Sequence, residues 1–166
     1  MSSDEFFAEQ APHVLQPASI HVALIDGLHE FRQVACDLLN LEPYMRPDGL
    51  VFFDDMNPRS ASRAADIPPG KVDVPGGVVW NGDVWKIAAL VARARPDLTL
   101  TTVDADQGVG VLSGFGSGHD EDLSAEIERC KALDYSELES AREQLLHLVP
   151  PTDFPRILAA IPAAPS

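Results

Sequence analysis

Ile20-His-Val-Ala-Leu-Ile-Asp26-Gly-Leu-His29 and Gly49-Leu-Val-Phe-Phe-Asp54-Asp55-Met-Asn57 decide the fold, because each is an apolar run that stops abruptly in carboxylates. Residues 20 to 25 are nearly all apolar and partly β-branched, which predicts a strand buried on both faces of a parallel sheet. Between the two runs, Phe31, Val34, Ala35, Leu38 and Leu39 share one helical face, with Glu30, Arg32, Gln33, Asp37 and Asn40 elsewhere on the cylinder. Pro43 and Pro47 end that helix, Asp48-Gly49 turns, and Leu50 to Phe53 form the second strand. The unit is β-α-β, two parallel neighbours with a right-handed connection. Ligands of open parallel sheets bind beyond the carboxyl ends of the strands, so three acids and an imidazole gathered there point to a reaction site.

Working outward, Ser3 or Asp4 caps a short helix to about Gln10, with Phe6 and Phe7 as its apolar contacts, before Pro12 and Pro17. From Asn57 to Gly77 the chain is rich in Pro, Gly, Ser, Ala and Arg without any period. That is a long loop, with a lid or binding segment and plain disorder as its two readings. Asn81 or Asp83 caps a helix to about Arg95, with Val84, Ile87, Ala88 and Val91 on one face, basic residues in its last turn and Pro96 as its stop. Leu98 to Val103 and Val109 to Leu112, joined by an Asp104-Ala-Asp-Gln-Gly108 turn, predict an antiparallel hairpin. After the glycine-rich stretch Gly114 to Gly118, an acidic helical region spans about Asp120 to Leu148, broken near Asp134. Ser136 and Glu139 stand at capping-box spacing, and Leu138, Ala141, Leu145 and Leu148 form its stripe. Residues 1 to 118 are therefore an α/β unit, and 119 to 166 a C-terminal helical extension packed on it.

Composition narrows the function classes. The chain has 166 residues, 45% hydrophobic, enough for one globular domain with a real core. Its 26 acidic against 12 basic residues give a net charge of -14, which argues against a bare polyanion such as nucleic acid as the natural partner. No apolar run approaches the roughly eighteen residues of a membrane helix, and the first residues, Met-Ser-Ser-Asp-Glu, are acidic and polar, so a cytoplasmic location is expected. Cys36 and Cys130 lack metal-like spacing and read as reduced thiols.

Strand-Asp-Gly-x-His, an amphipathic helix, then Pro-x-Gly-strand-Asp-Asp resembles the second half of class I S-adenosylmethionine-dependent methyltransferases, above all the metal-assisted small-molecule O-methyltransferases. Ser3-Asp-Glu-Phe-Phe-Ala8, Trp80-Asn-Gly-Asp-Val-Trp-Lys86 and Thr102-Val-Asp-Ala-Asp-Gln-Gly-Val-Gly110 are similar to further pieces of the same family, so the likeness covers about residues 3 to 115. It implies a partial Rossmann-like sheet whose strands correspond to the last four of the family order 3-2-1-4-5-7-6. It also implies S-adenosylmethionine as methyl donor and a sugar or small natural product as hydroxyl acceptor. The family's glycine-rich turn after the first strand and the acidic residue after its second have no counterpart, and Gly108-Val-Gly110 sits in a hairpin turn, so no cofactor-binding residue is assigned. A half-sheet beginning at residue 20 also exposes a strand edge. A homodimer, a separately encoded N-terminal half, a longer parent chain or the N-terminal segment folding back would cover it.

If the two strands are neighbours, Asp26, Asp54 and Asp55 meet at one rim, where close carboxylates repel unless protons or a cation intervene. Oxygen ligands suit Mg2+ or a similar divalent ion, and these acids occupy the metal positions of the resembling enzymes. The alternative is that they cap turns, but capping needs one acid and three are present. His29, three residues past Asp26, is the general-base candidate, with simple helix-start packing as the alternative. Asn57 and Trp80 are substrate-binding candidates, against a turn-starting Asn-Pro and core packing; Trp85 reads as core. The expected function is metal-assisted O-methylation. The alternative is a non-catalytic remnant or assembly module pairing through its exposed strand edge, and a weaker one is metal-dependent hydrolysis at the same acids.

Overall fold

The computed structural model describes residues 1–66, 80–116 and 122–160. Helix α1 (Ser3–Glu5) runs through a π-helical stretch (Phe6–Gln10) into α2 (Ala11–Val14), followed by β1 (Ile20–Ile25), α3 (Phe31–Leu41) and β2 (Met45–Phe53). Helix α4 (Lys86–Ala94) leads to β3 (Thr99–Val103) and β4 (Val109–Ser113). Then come α5 (Ser124–Lys131), α6 (Tyr135–Leu146), β5 (Leu148–Val149) and α7 (Phe154–Ala159). Among the described residues no helix is long and apolar enough to cross a membrane.

The strands form one five-stranded sheet in the order β1-β2-β4-β3-β5. β1 and β2 are parallel, with Val22 beside Leu50 and Ile25 beside Phe53. β4 is antiparallel to both β2 and β3. The run β1-β2-β4-β3 is the order 4-5-7-6 that the resemblance implies, so the α/β expectation of a parallel unit plus a terminal hairpin holds. The Asp48-Gly49 turn lies inside β2 as an irregularity, because pairing with β1 jumps from Met45 to Leu50.

Alternation along the strands sends Val51, Phe53, Leu100 and Leu112 into one core with Phe31, Val34, Ala35 and Leu38 of α3, Ile87 and Leu90 of α4, Cys130 of α5, and Leu138 and Leu146 of α6. The helix stripe expected for α3 is the buried one, except that Leu41 is buried and Leu39 only half-buried. On the other sheet face a smaller cluster of Leu50, Val103 and Val111 packs with Phe52, Val149, Phe154 and Ile157, the last two from α7. Among the described residues, no β1 side chain belongs to that second cluster. This corrects the expectation of a strand buried on both faces: β1 ends the sheet, and Val22 and Leu24 are 61% and 65% exposed.

Boundaries shift for local reasons. Ser2 caps the first helix in a capping box with Glu5, and the helical path continues past Gln10 because Pro12 falls in the first turn of α2, where no N–H is needed. Asp134 and Glu137, two residues ahead of the expected pair, form the capping box of α6, which is interrupted at Ala141 (φ -135, ψ 25). The extension is not wholly helical, since Leu148–Val149 joins the sheet beside β3. The long loop is described only to Asp66. Its remainder, Ser117 and Gly118 of the glycine-rich stretch, and Pro162 to Ser166 lie outside the described residues.

Candidate functional site

β1 stops at Ile25 and β2 at Phe53, and the Asp54 N–H donates to the Ile25 carbonyl at 3.4 Å, which holds the two carboxylate-bearing ends side by side. Past β2 the backbone turns sharply. Asp55 takes a left-handed φ of 63° and its N–H donates to Asp54 Oδ1 at 2.8 Å. Asp54 thus spends one carboxylate oxygen on its own turn, while the Asp55 side chain swings inward and is buried. The next two residues are fixed by the hairpin tip: Met56 N–H donates to Gly108 O at 2.9 Å and Asn57 N–H to Gln107 O at 2.7 Å. Gly108, at φ +91°, permits this approach, since a Cβ there would lie 2.4 Å from Asn57 Cβ.

His29 lies between the acids. Its Nδ1 is 3.0 Å from Asp55 Oδ2 and 3.2 Å from the Trp80 carbonyl, and its Nε2 is 3.5 Å from Asp26 Oδ1. A backbone carbonyl only accepts, so Nδ1 carries a hydrogen, and Nε2 is the ring atom that faces Asp26. The segment after Trp80 grips the same residue. The indole stacks on the imidazole with centroids 5.3 Å apart, and Asp83 N–H donates to the His29 carbonyl at 3.2 Å. Gly82 lies so close, at φ +65°, that a Cβ would fall 1.7 Å from that carbonyl oxygen.

Asp55 is the electrostatic centre. Burial pushes its carboxyl up to about 6, with Asp54, Asp26 and Asp106 adding to the rise and His29 opposing it. Its Oδ1 accepts from buried Asn81 Nδ2 at 2.9 Å, and Asn81 Oδ1 is a buried acceptor with no partner among the described residues. Ligand atoms of Asp26, His29 and Asp55 all lie within 4.8 Å of one another. The two carboxylates at that spacing could hold a divalent cation through oxygen, and the imidazole nitrogen is near enough to serve either as a third ligand or as a base beside it.

The structure therefore brings together Asp26, His29 and Asp55 of the expected residues, and leaves Asp54 on the flank of the group. Asn57 is fully buried and has both amide ends engaged: Nδ2 donates to Asp104 at 3.0 Å, and Oδ1 accepts from Arg142 Nη1 at 2.5 Å. Arg142 also donates to Pro58 O and Tyr135 OH, each at 2.8 Å, which ties α6 to the turn after β2. Trp80 is half-buried, its indole N–H donating to Ala65 O at 2.6 Å. Trp85 is core, as read.

Sequence reasoning missed three contributors. Asp83 does not cap its own helix. Its Oδ1 accepts from Phe31 N–H at 2.6 Å, capping α3, while its Oδ2 pairs with Lys86 at 3.0 Å and Lys131 at 3.1 Å. Lys131 also reaches Glu30 at 3.1 Å, so α5 is fastened next to His29. Asn81 and Arg142 are the others. Only Asn81-Gly82-Asp83 left a local signal, a polar turn flanked by tryptophans, and that signal does not say which helix it serves.

Residues 2–56 match a family model described as a methyltransferase domain, which supports a methyltransferase-like reading of that segment. The match holds β1, α3, β2 and the acids with His29, and stops short of the hairpin and the Trp80–Asp83 clasp. Comparisons with curated proteins and with solved structures gave no match.

Proposed function

We propose that this chain is the metal and acceptor side of an S-adenosylmethionine-dependent methyltransferase acting on a hydroxyl of a sugar or small natural product. The observation that carries the reading is the convergence of Asp26, His29 and Asp55 at paired strand ends inside the segment that matches a methyltransferase domain. A divalent cation, if held at this rim, would supply Lewis acidity toward an acceptor hydroxyl. Asp26 and Asp55 would hold it, and the second oxygen of Asp54 would add negative charge nearby.

We assign Nε2 of His29 to the acceptor proton rather than to the cation. As an acceptor hydroxyl is alkylated, Nε2 would receive the proton that its oxygen gives up. Asp55 and the Trp80 carbonyl keep the Nδ1 hydrogen in place and are oriented to stabilise the imidazolium that results. Trp80, with one indole face occupied by His29, offers its other face to the acceptor. Asn57 acts by fixing the floor of the turn between Asp104 and Arg142.

Titration calorimetry with Mn2+ and Mg2+ tests the assignment. Asp26→Asn and Asp55→Asn are expected to weaken binding by tenfold or more, a change of about 1.4 kcal/mol or more, while His29→Gln leaves it nearly unchanged. A His29→Gln loss as large as that of the acids would make His29 a ligand instead of the base. Unchanged affinity in both acid variants would remove the metal site. With metal saturating, failure of the chain to bind S-adenosylmethionine or its demethylated product would refute methyl transfer by this chain.

A further inference from the structure

Among the described residues every lysine and arginine side chain but two stands within 4.0 Å of a carboxylate oxygen, as 26 acids against 12 bases would lead one to expect. The exceptions are Arg142, whose guanidinium donates to Asn57, Pro58 and Tyr135, and Arg63. Arg63 is half-buried, and among the described residues its guanidinium has one hydrogen-bond partner, Gln107 Oε1 at 3.4 Å from Nη1. Gln107 Nε2 donates to Asp106 Oδ1 at 3.2 Å, so the amide stands between the guanidinium and that acid. The remaining N–H donors form an open fork, the geometry that pairs with a carboxylate or a phosphate.

The backbone holds this fork at the rim. Arg63 N–H donates to Ser60 O at 3.1 Å, and its carbonyl accepts from Asn81 N–H at 3.0 Å. Two residues on, Ala65 O accepts from the indole N–H of Trp80, the ring stacked on His29. Asn81 Nδ2 in turn donates to Asp55 Oδ1 at 2.9 Å, so one residue separates the backbone of Arg63 from the acid group. In sheet order the turn that carries Gln107, between β3 and β4, lies across β2 from β1, away from the edge where a methyl-donor half belongs. Asp26, Asp54, Asp55 and Asp106 repel an approaching anion, and an unpaired guanidinium beside them offsets that repulsion at one point.

We propose that Arg63 binds an anionic group, a carboxylate or a phosphate, carried by the acceptor whose hydroxyl faces Asp26, His29 and Asp55. The inference rests on the methyl-acceptor reading of the rim and narrows the acceptor to an acidic one, such as a uronic acid or a sugar phosphate. The charge belongs at one end of that molecule, since the acids disfavour it anywhere else along the rim.

Side-chain nitrogen–proton NMR of the full chain in chelator, with inorganic phosphate and then acetate as probes, reads the fork itself. The Arg63 Nε–H signal, assigned by its absence from Arg63→Gln, is expected to shift saturably while that of exposed Arg129 does not. Calorimetry with Mg2+ then compares glucose 6-phosphate and glucuronate with glucose, the tighter of the two naming the anion. An anionic sugar is expected to bind about tenfold tighter than glucose, to lose that preference in Arg63→Gln with an unchanged circular dichroism spectrum, and to regain part of it in Arg63→Lys. No saturable shift at Arg63, or an equal one at Arg129, overturns the proposal. So do anionic sugars that bind no better than glucose, or a preference that survives Arg63→Gln. Neither titration contains S-adenosylmethionine, so failure to bind the methyl donor would refute the proposed reaction and leave the anion result standing.

Discussion

Replacing Asp55 with asparagine tests whether the inward turn after β2 buries a carboxylate at a cost. In the folded chain burial raises the Asp55 carboxyl from the ordinary 3.8 to about 6. The folded state therefore holds a proton that the unfolded state has already released over that interval. Stability falls as pH rises wherever the folded state binds more protons, so this group favours folding least above pH 6 and its penalty disappears below the unfolded value. A shift of about two pH units corresponds to about 3 kcal/mol, and screening by water at an open rim reduces that to roughly 1 to 2 kcal/mol. The assay is urea unfolding at pH 4.5 and pH 7 in the presence of a chelator, for wild type and Asp55→Asn. Asparagine leaves one donor facing another, at His29 Nδ1 or Asn81 Nδ2, so the variant has its own fixed cost. That cost cancels in the difference between the two pH values. Relative to wild type, the variant should gain about 1 to 2 kcal/mol on going from pH 4.5 to 7. Equal pH dependence in the two proteins would refute the reasoning, and so would a relative loss at pH 7. Saturating metal should erase the difference, because a cation at the carboxylate competes with the proton.

Gly82→Ala should destabilise the fold by about 3 kcal/mol or more, because φ is +65° and the new methyl would fall 1.7 Å from the His29 carbonyl oxygen; a thermal melt within a degree or so of wild type would contradict the close approach. Asp83→Ala removes the cap of α3 and strands Lys86, which is almost wholly buried, so a loss of about 3 kcal/mol is expected by urea unfolding. Asp83→Asn can still accept from Phe31 N–H and should recover part of that loss, and a variant no better than alanine would argue against capping.

The parallel unit was legible because its information is local. A six-residue apolar run, a helix with its apolar positions on one face and a second run each signal their element by periodicity alone, and the hairpin turn carries its own glycine and aspartates. What the sequence hid depends on partners far along the chain. Nothing in Ile20–Ile25 says that Val22 and Leu24 will stand on an open face, since composition reports what a strand can bury and not what lies over it. Asp54 and Asp55 are equivalent as letters, and the left-handed φ of Asp55 separates them, sending one carboxylate to its own turn and the other into the interior. Asp83 reads as the cap of the nearest helix, yet it caps one that begins 52 residues earlier.

These long-range contacts make the site a property of more than its acid-tipped strands. The segment 2–56 contains Asp26, His29, Asp54 and Asp55 but not what aims them. The orientation of His29 comes from Trp80, Gly82 and Asp83, and that of Asp55 from Asn81, while Gln107 and Gly108 seat the turn that follows. Asp83 is in turn held by Lys131 at the end of α5, and the turn at Asn57 and Pro58 by Arg142 on α6. Cutting away the residues after 118 would remove both cations and uncover the core that Leu138 and Leu146 close, leaving Lys86 as the cation beside Asp83. The carboxylates would remain at the strand ends, and the imidazole between them would keep Trp80 and Asp83 but lose the Lys131 anchor behind Asp83. The helical extension, whose described residues include no candidate ligand, is therefore part of what makes the acid cluster a site.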